Sequence, residues 1–172
     1  MISNKKMLIK NNLYAIAVHL VICLISNIIY DFTGRLEIYH RNIRLTIFFA
    51  SFLVFLWLYY MTGKKLLHCA SKKDCFLSPL LLPILIIIIF ISRAIFDYFE
   101  IYYIVDILYT FCTGTYLGLR VVWEFVDYLI ISRLIAPYNL ELGQIIFQIE
   151  TGLCHALVPY IFLVLGTLKE DN

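Results

Sequence analysis

Long apolar runs separated by short polar segments dominate the chain. The runs predict membrane-crossing helices at about residues 13–30, 45–61, 76–96, 101–119 and 145–168. Most are close to the ~20 apolar residues that a helix needs to cross the hydrocarbon core. The pattern therefore predicts an all-α, polytopic integral membrane helix bundle with five transmembrane spans, or six if residues 121–136 form another.

The run from Ile101 to Ile135 carries more charge than a span normally tolerates. At about 3.6 residues per turn, one third of the helix surface collects its polar side chains. These are Asp106, Thr110, Thr113, Arg120, Glu124 and Asp127. We expect a span followed by an amphipathic segment around 120–135 at the membrane interface. One continuous helix, or a break near Gly114 and Gly118 before a sixth span, are the alternatives.

Smaller features predict how the other spans begin and end. Residues 31–44 and 63–74 are polar and read as connections. Tyr59 and Tyr60, with the nearby Trp57, predict an aromatic belt where the second span meets water, with lipid on most sides. Pro79 fits the first turn of the third span, and Pro83 predicts a kink further in.

Composition identifies the solvent. The chain of 172 residues is 62% hydrophobic and 15% charged, with a mean hydropathy of +0.87, whereas soluble domains have about a quarter of their residues charged. We therefore expect a single membrane domain, residues 1–172, with the lipid bilayer as its surroundings. A net charge of +2 does not favour nucleic acid. Five short spans enclose little volume, which favours a homo-oligomer or a membrane-protein partner.

The basic start of the chain predicts its orientation. Lys and Arg are more numerous in the connections on the side of the N-terminus, so the positive-inside rule predicts a cytoplasmic N-terminus. The first apolar run is long and lacks a small-x-small cleavage site, which favours a retained anchor over a signal peptide.

Ionisable residues in or near the spans are the strongest functional signal. A charge at the centre of a span costs about 2.5–3.5 kcal/mol, so such residues usually face a polar interior. We expect a membrane-embedded binding or transport component. Asp106, Glu124 and His155 are its candidate ligand or ion groups, Arg93 and Arg120 the counter-charges, and Asp97, Asp127 and His19 further candidates. Hydrated positions at the membrane edge are the alternative for the charged groups.

Two histidines lie at similar predicted depth in the first and last spans. His19 and His155 could share a proton or ligate one haem. Ordinary hydrogen bonds between helices are the favoured interpretation of both. No sequence pattern names a cofactor, and none predicts a metal site.

An enzyme is the rival from another class. His68 and Cys75, with Cys69 and Ser71 nearby, form a histidine and thiol pair just before a span, a pattern that suits a base and a nucleophile. The spacing of seven resembles that in membrane peptidases that process quorum-sensing peptides. The resemblance covers about a dozen residues and implies an intramembrane thiol peptidase. The Gly and Ala expected close to that histidine are absent here.

A structural anchor or assembly subunit without a site of its own is the third alternative. Phosphate-binding glycine loops and the HExxH and GxSxG motifs are absent from the sequence.

Overall fold

Every regular element in the described part of the chain is an α-helix. The computed structural model describes residues 2–34, 41–99, 103–104 and 140–168, with side chains at 5–33, 43–92, 95–96, 99, 103–104 and 152–168. The helices are α1 (Ile2–Gly34), α2 (Arg41–Leu66), α3 (Lys72–Leu77), α4 (Leu81–Tyr98) and α5 (Leu140–Leu168).

Three helical segments among these residues are long and apolar enough to cross a membrane. They are Lys5–Thr33, Ile43–Leu66 and Lys72–Ser92, and the apolar segment Gly152–Leu168 is shorter. An all-helical chain with spans of this kind agrees with the predicted fold class and with a place in a membrane. The predicted fourth span and the amphipathic segment around 120–135 lie outside the described residues.

Helices α1 and α2 extend beyond the predicted apolar runs. Helix α1 begins in the basic segment and ends at Gly34, while α2 continues through Gly63 and two lysines to Leu66. Lysine is a good helix former, and a single glycine costs a helix only about 1 kcal/mol. The predicted loop 63–74 was therefore too long, since the non-helical link covers only residues 67–71.

The predicted third span consists of two helices. Helix α3 is short, residues 78–80 form a turn, and α4 follows. Pro79 lies in that turn instead of in a helix. Pro83 lies in the first turn of α4, where backbone N–H groups have no partner within the helix, so no hydrogen bond is lost there. The kink predicted at Pro83 is not needed.

Helix α2 packs most extensively against α5, and because only 22% of its spanning segment is buried, most of its surface stays open to lipid as expected. Trp57 is 58% exposed, as an aromatic belt requires, but Tyr59 is fully buried. The helices approach most closely where Gly63 meets Gly166. A Cβ at Gly63 would collide with the carbonyl oxygen of Leu163, and one at Gly166 would collide with that of Tyr60. Small residues let membrane helices approach in this way.

The core lies between α1, α2, α4 and α5. Its buried members are Ala15, Ile22, Phe55, Tyr59, Leu82, Ile86, Ala156 and Leu163, with Leu67 at its end. Large apolar side chains such as Leu24, Val54 and Ile88 are exposed on the outside. Lipid is the solvent that suits such a surface.

The glycine contact generates the first prediction. Gly63→Ala should lower the stability of the folded protein by about 1–3 kcal/mol, the usual range for overpacking, because the new methyl group meets backbone atoms that cannot rotate away. Gly152→Ala is the matched control, since its Cβ would meet only the Phe90 side chain at 3.3 Å or more. Thermal unfolding in detergent measures both variants. Equal melting temperatures for the two would contradict the close approach.

Candidate functional site

A buried polar group, which we call the interior centre, links α1 to α2 and α5. It consists of His19, Cys23, Tyr59 and His155. The Tyr59 hydroxyl lies 2.7 Å from Nδ1 of His19, and the Cys23 sulfur lies 3.5 Å from Nε2 of the same ring. All four residues belong to spans or apolar helices, and all four are almost completely inaccessible. The sequence pattern predicts Tyr59 at the membrane interface, but its hydroxyl lies in the bundle interior.

His155 approaches this group from α5. Its side chain is fully buried, and its ring centroid lies 5.6 Å from that of Phe90 on α4. The structure therefore buries both of the histidines that the sequence places at similar depth.

Existing hydrogen bonds limit which ligands the interior centre can bind. Both ring nitrogens of His19 have protein partners, so His19 could ligate a haem only after losing one of them. No group of three or more His, Cys, Asp or Glu side chains in the described ranges is arranged to hold a metal ion. The Tyr59 contact is an ordinary hydrogen bond between helices, and the Cys23 contact lies within α1.

A second polar group lies at the end of the bundle that carries the start of α1. We call it the thiol cluster: Asn11, His68, Cys69, Cys75 and Ser78. The Asn11 amide nitrogen donates to the His68 carbonyl oxygen at 2.7 Å and lies 2.6 Å from the Ser78 hydroxyl oxygen. Asn11 is buried although it is polar, because both bonds satisfy its amide.

The two thiols of the cluster are neighbours. The Cys69 sulfur lies 4.0 Å from the Ser78 hydroxyl oxygen, and Cys75 and Thr167 are its other polar neighbours. Cys75 is only 1% exposed, whereas His68 is exposed. Burial, with Cys75 as the next contribution, raises the pKa of the Cys69 thiol to about 12. Cys69 therefore stays protonated at neutral pH.

Local sequence explains why Cys75 sits on a helix. Ser71 caps α3: its hydroxyl oxygen accepts from the Asp74 backbone N–H at 3.2 Å, and the hydroxyl donates to the Asp74 carboxylate at 2.9 Å. Such caps stabilise a short helix by about 1 kcal/mol. The hydroxyl of Tyr160 donates to the Phe76 carbonyl at 3.1 Å and so ties α3 to α5.

Lysines surround the same end of the bundle. All seven are exposed, and Asp74 is the one acidic side chain among the described residues of this end. They are Lys5, Lys6, Lys10, Lys64, Lys65, Lys72 and Lys73. This end therefore carries a strong positive charge.

The predicted site residues thus fall into separate places. The enzyme pair, His68 and Cys75, joins the thiol cluster, while the two span histidines join the interior centre. Arg93 and Asp97 lie on α4, and only the backbone of these two residues is described. The remaining predicted ligand or ion residues lie outside the described part of the chain: Asp106, Arg120, Glu124 and Asp127.

Sequence reasoning missed three residues that organise these groups. Tyr59 was assigned to the membrane interface, and Asn11 and Ser78 were not considered. Asn11 lies in the polar segment before the first apolar run. In the sequence it cannot be distinguished from a solvated asparagine. Its spacing gives no signal for this contact, since its partners are 57 and 67 residues away.

Comparison with known proteins finds no match to this chain among family models, curated proteins or solved structures.

The His19–Tyr59 contact generates a stability prediction. Tyr59→Phe should destabilise the bundle by about 1 kcal/mol, since it leaves Nδ1 of His19 buried without its partner in an apolar interior. Tyr60→Phe, one position along the same helix, is the matched control because its hydroxyl bonds to no described residue. Unfolding in mixed micelles by increasing SDS measures both. A larger loss for Tyr60→Phe would refute the role of Tyr59.

The raised pKa of Cys69 predicts slow alkylation. At pH 8 a pKa of about 12 leaves about one thiol in ten thousand ionised, whereas an ordinary cysteine with a pKa near 8.5 is about one quarter ionised. Iodoacetamide should therefore modify Cys69 about a thousandfold more slowly in the folded protein than in the same protein unfolded in urea and SDS. Peptide mass spectrometry reports the rate. Equal rates in the two states would contradict the buried environment.

Proposed function

We propose that this protein is a membrane-embedded thiol enzyme, and that it is a peptidase whose nucleophile is Cys75 and whose base is His68. The observation that carries the proposal is the thiol cluster itself. Asn11 links the His68 backbone to Ser78, and Cys69 links Ser78 to Cys75. A base and a thiol that lie seven positions apart in sequence thus share one small group at the bundle end.

Differences between the interior centre and the thiol cluster favour the enzyme proposal over a binding or transport role. In the interior centre, both ring nitrogens of His19 already have protein partners. The thiol cluster combines a nearly inaccessible thiol with an exposed imidazole on a non-helical link. Catalytic hydrogen bonds are often loose before substrate binds. Rotation of the exposed His68 side chain is the movement that the mechanism needs.

The reaction would follow the usual course for a cysteine nucleophile. His68 takes the proton from Cys75, and the sulfur attacks the carbonyl carbon of a peptide bond. The C–N bond breaks, the leaving amine takes the proton from His68, and a thioester remains on Cys75. Water then attacks the thioester, His68 accepts and returns a proton, and the free thiol is restored with release of a carboxylic acid.

The membrane arrangement belongs to the same proposal. Five spans, or six, with a cytoplasmic N-terminus would place the lysine-rich end and the thiol cluster at the cytoplasmic edge of the bilayer. A peptide segment that lies at this edge is the substrate that can reach it. A homo-oligomer or a membrane-protein partner would cover more of the exposed apolar surface.

A binding or transport component is the second candidate function. The burial of both His19 and His155 in the bundle interior favours it. Asp106 and Glu124 would then extend the polar interior, with Arg93 and Arg120 as counter-charges and Asp97 and Asp127 at the membrane edges. On this alternative, His155→Ala abolishes function and Cys75→Ser does not. A structural anchor tolerates both changes.

Peptide cleavage tests the enzyme proposal. Proteoliposomes that contain the protein should generate new peptide termini from a proteome-derived peptide mixture, detected by mass spectrometry. Cys75→Ser and His68→Ala should each reduce this cleavage at least a hundredfold, since each removes a group that takes part in forming the thioester.

Cys154→Ala is the matched control, because it removes a thiol from α5 and leaves the thiol cluster intact. It should cleave as the unchanged protein does. Cleavage that survives Cys75→Ser, or no cleavage by the unchanged protein, would overturn the proposal.

A further inference from the structure

Helix α1 meets the end of α3 and the start of α4 along a line that we call the seam, formed by Asn12, Leu77 and Leu81. The Asn12 amide nitrogen donates to the Leu77 carbonyl at 3.2 Å, and its amide oxygen accepts from the Leu81 backbone N–H at 2.7 Å. Both bonds lie at the protein surface. The seam therefore holds an outer face of α1 beside the outer face of α3.

Lysines of both helices lie close to the seam. Lys5 precedes Asn12 by seven residues on α1, which leaves it on nearly the same face and about 10.5 Å away along the helix axis. Lys73 precedes Leu77 by four residues on α3, so their Cα atoms are about 6 Å apart along the axis, and Lys72 is the next residue. All three lysines are exposed. Their long, flexible side chains can therefore reach one group bound over the seam.

The surface around the seam carries an excess of positive charge. Asp74 is the one acidic side chain among the described residues of this end, and its carboxylate already accepts a hydrogen bond from the Ser71 hydroxyl at 2.9 Å. Three lysines thus accompany one carboxylate that has a partner of its own. A phosphate group, with its negative charge and several acceptor oxygens, is the ligand that such a set of ammonium groups suits.

An exposed apolar strip on α4 begins at the seam. Leu81, Ile84 and Ile88 are exposed, and they share one helix face because they follow one another at spacings of three and four. Leu82 and Ile86 of the same helix are buried in the core, so the strip is the outward face of α4. A basic surface that continues into an outward apolar strip matches the two parts of an anionic phospholipid, its headgroup and its acyl chains.

We propose that the seam binds one anionic phospholipid, with its phosphodiester held by Lys5, Lys72 and Lys73 and its acyl chains along the apolar strip. The occupant is a lipid and not a free phosphate ion, because an inorganic ion would leave the strip next to the lysines uncovered. None of these residues belongs to the thiol cluster, so lipid binding here is independent of the proposed enzyme function.

Lipid titration followed by native mass spectrometry tests the proposal on the full-length protein in detergent. The added probe is phosphatidylglycerol, or phosphatidylcholine with the same acyl chains. The spectra count the bound lipids and give the dissociation constant of the first one. The unchanged protein should bind phosphatidylglycerol roughly tenfold more tightly than phosphatidylcholine, because the two lipids differ in the net charge of the headgroup.

Uncharged variants locate the site. Lys5→Gln should weaken the binding of phosphatidylglycerol about fivefold, since one basic residue near an anionic headgroup strengthens binding by about that factor. The double variant Lys72→Gln with Lys73→Gln should weaken it about 25-fold for the same reason. Replacing both residues by arginine keeps the charge and should preserve binding.

Lys64→Gln with Lys65→Gln is the matched control. It removes the same charge from the same end of the bundle, but at the end of α2, where the Lys64 backbone lies beside Gly166 of α5. This variant should leave the dissociation constant nearly unchanged.

Three outcomes would overturn the proposal. Equal losses in the two double variants would mean that the whole lysine-rich end attracts anionic lipid without a site at the seam. Equal affinity for the two lipids would exclude the headgroup charge from recognition. Stronger displacement of phosphatidylglycerol by inorganic phosphate than by chloride at equal ionic strength would assign the lysines to a free anion.

Discussion

Polar side chains among apolar helices must find their partners within the protein, because lipid offers no hydrogen bonds. This constraint governs both polar groups of the structure. In the interior centre, His19 of α1 is satisfied by Tyr59 of α2. At the bundle end, Asn11 is satisfied by a loop carbonyl and a hydroxyl. Each contact joins segments far apart in sequence.

Close packing of α2 against α5 makes these contacts possible. Gly63 and Gly166 let the two backbones approach more closely than any side chain would permit. The end of α5 then reaches the link after α2, where Thr167 meets Cys69. The close approach of Gly63 and Gly166 thus helps to hold the thiol cluster in place.

The two polar groups differ in what they leave available. In the interior centre, the bond between His19 and Tyr59 joins two helices, which is how membrane bundles commonly employ isolated polar residues. The thiol cluster uses backbone and amide groups for its scaffold, and the His68 imidazole remains exposed beside it. Asn11 and Ser78 thus form the scaffold of the thiol cluster.

The sequence by itself determined the solvent, the helical class and the approximate positions of the described helices, because an apolar run of about 20 residues admits few other structures in a bilayer. It also singled out His68 and Cys75 through their spacing. Only the tertiary structure decided that Tyr59 faces inward, since hydropathy cannot distinguish a tyrosine that faces lipid from one bonded to a histidine. It alone revealed Asn11 as the tether of the thiol cluster. Partners 57 and 67 residues apart are chosen by helix packing, and packing leaves no local pattern in the chain.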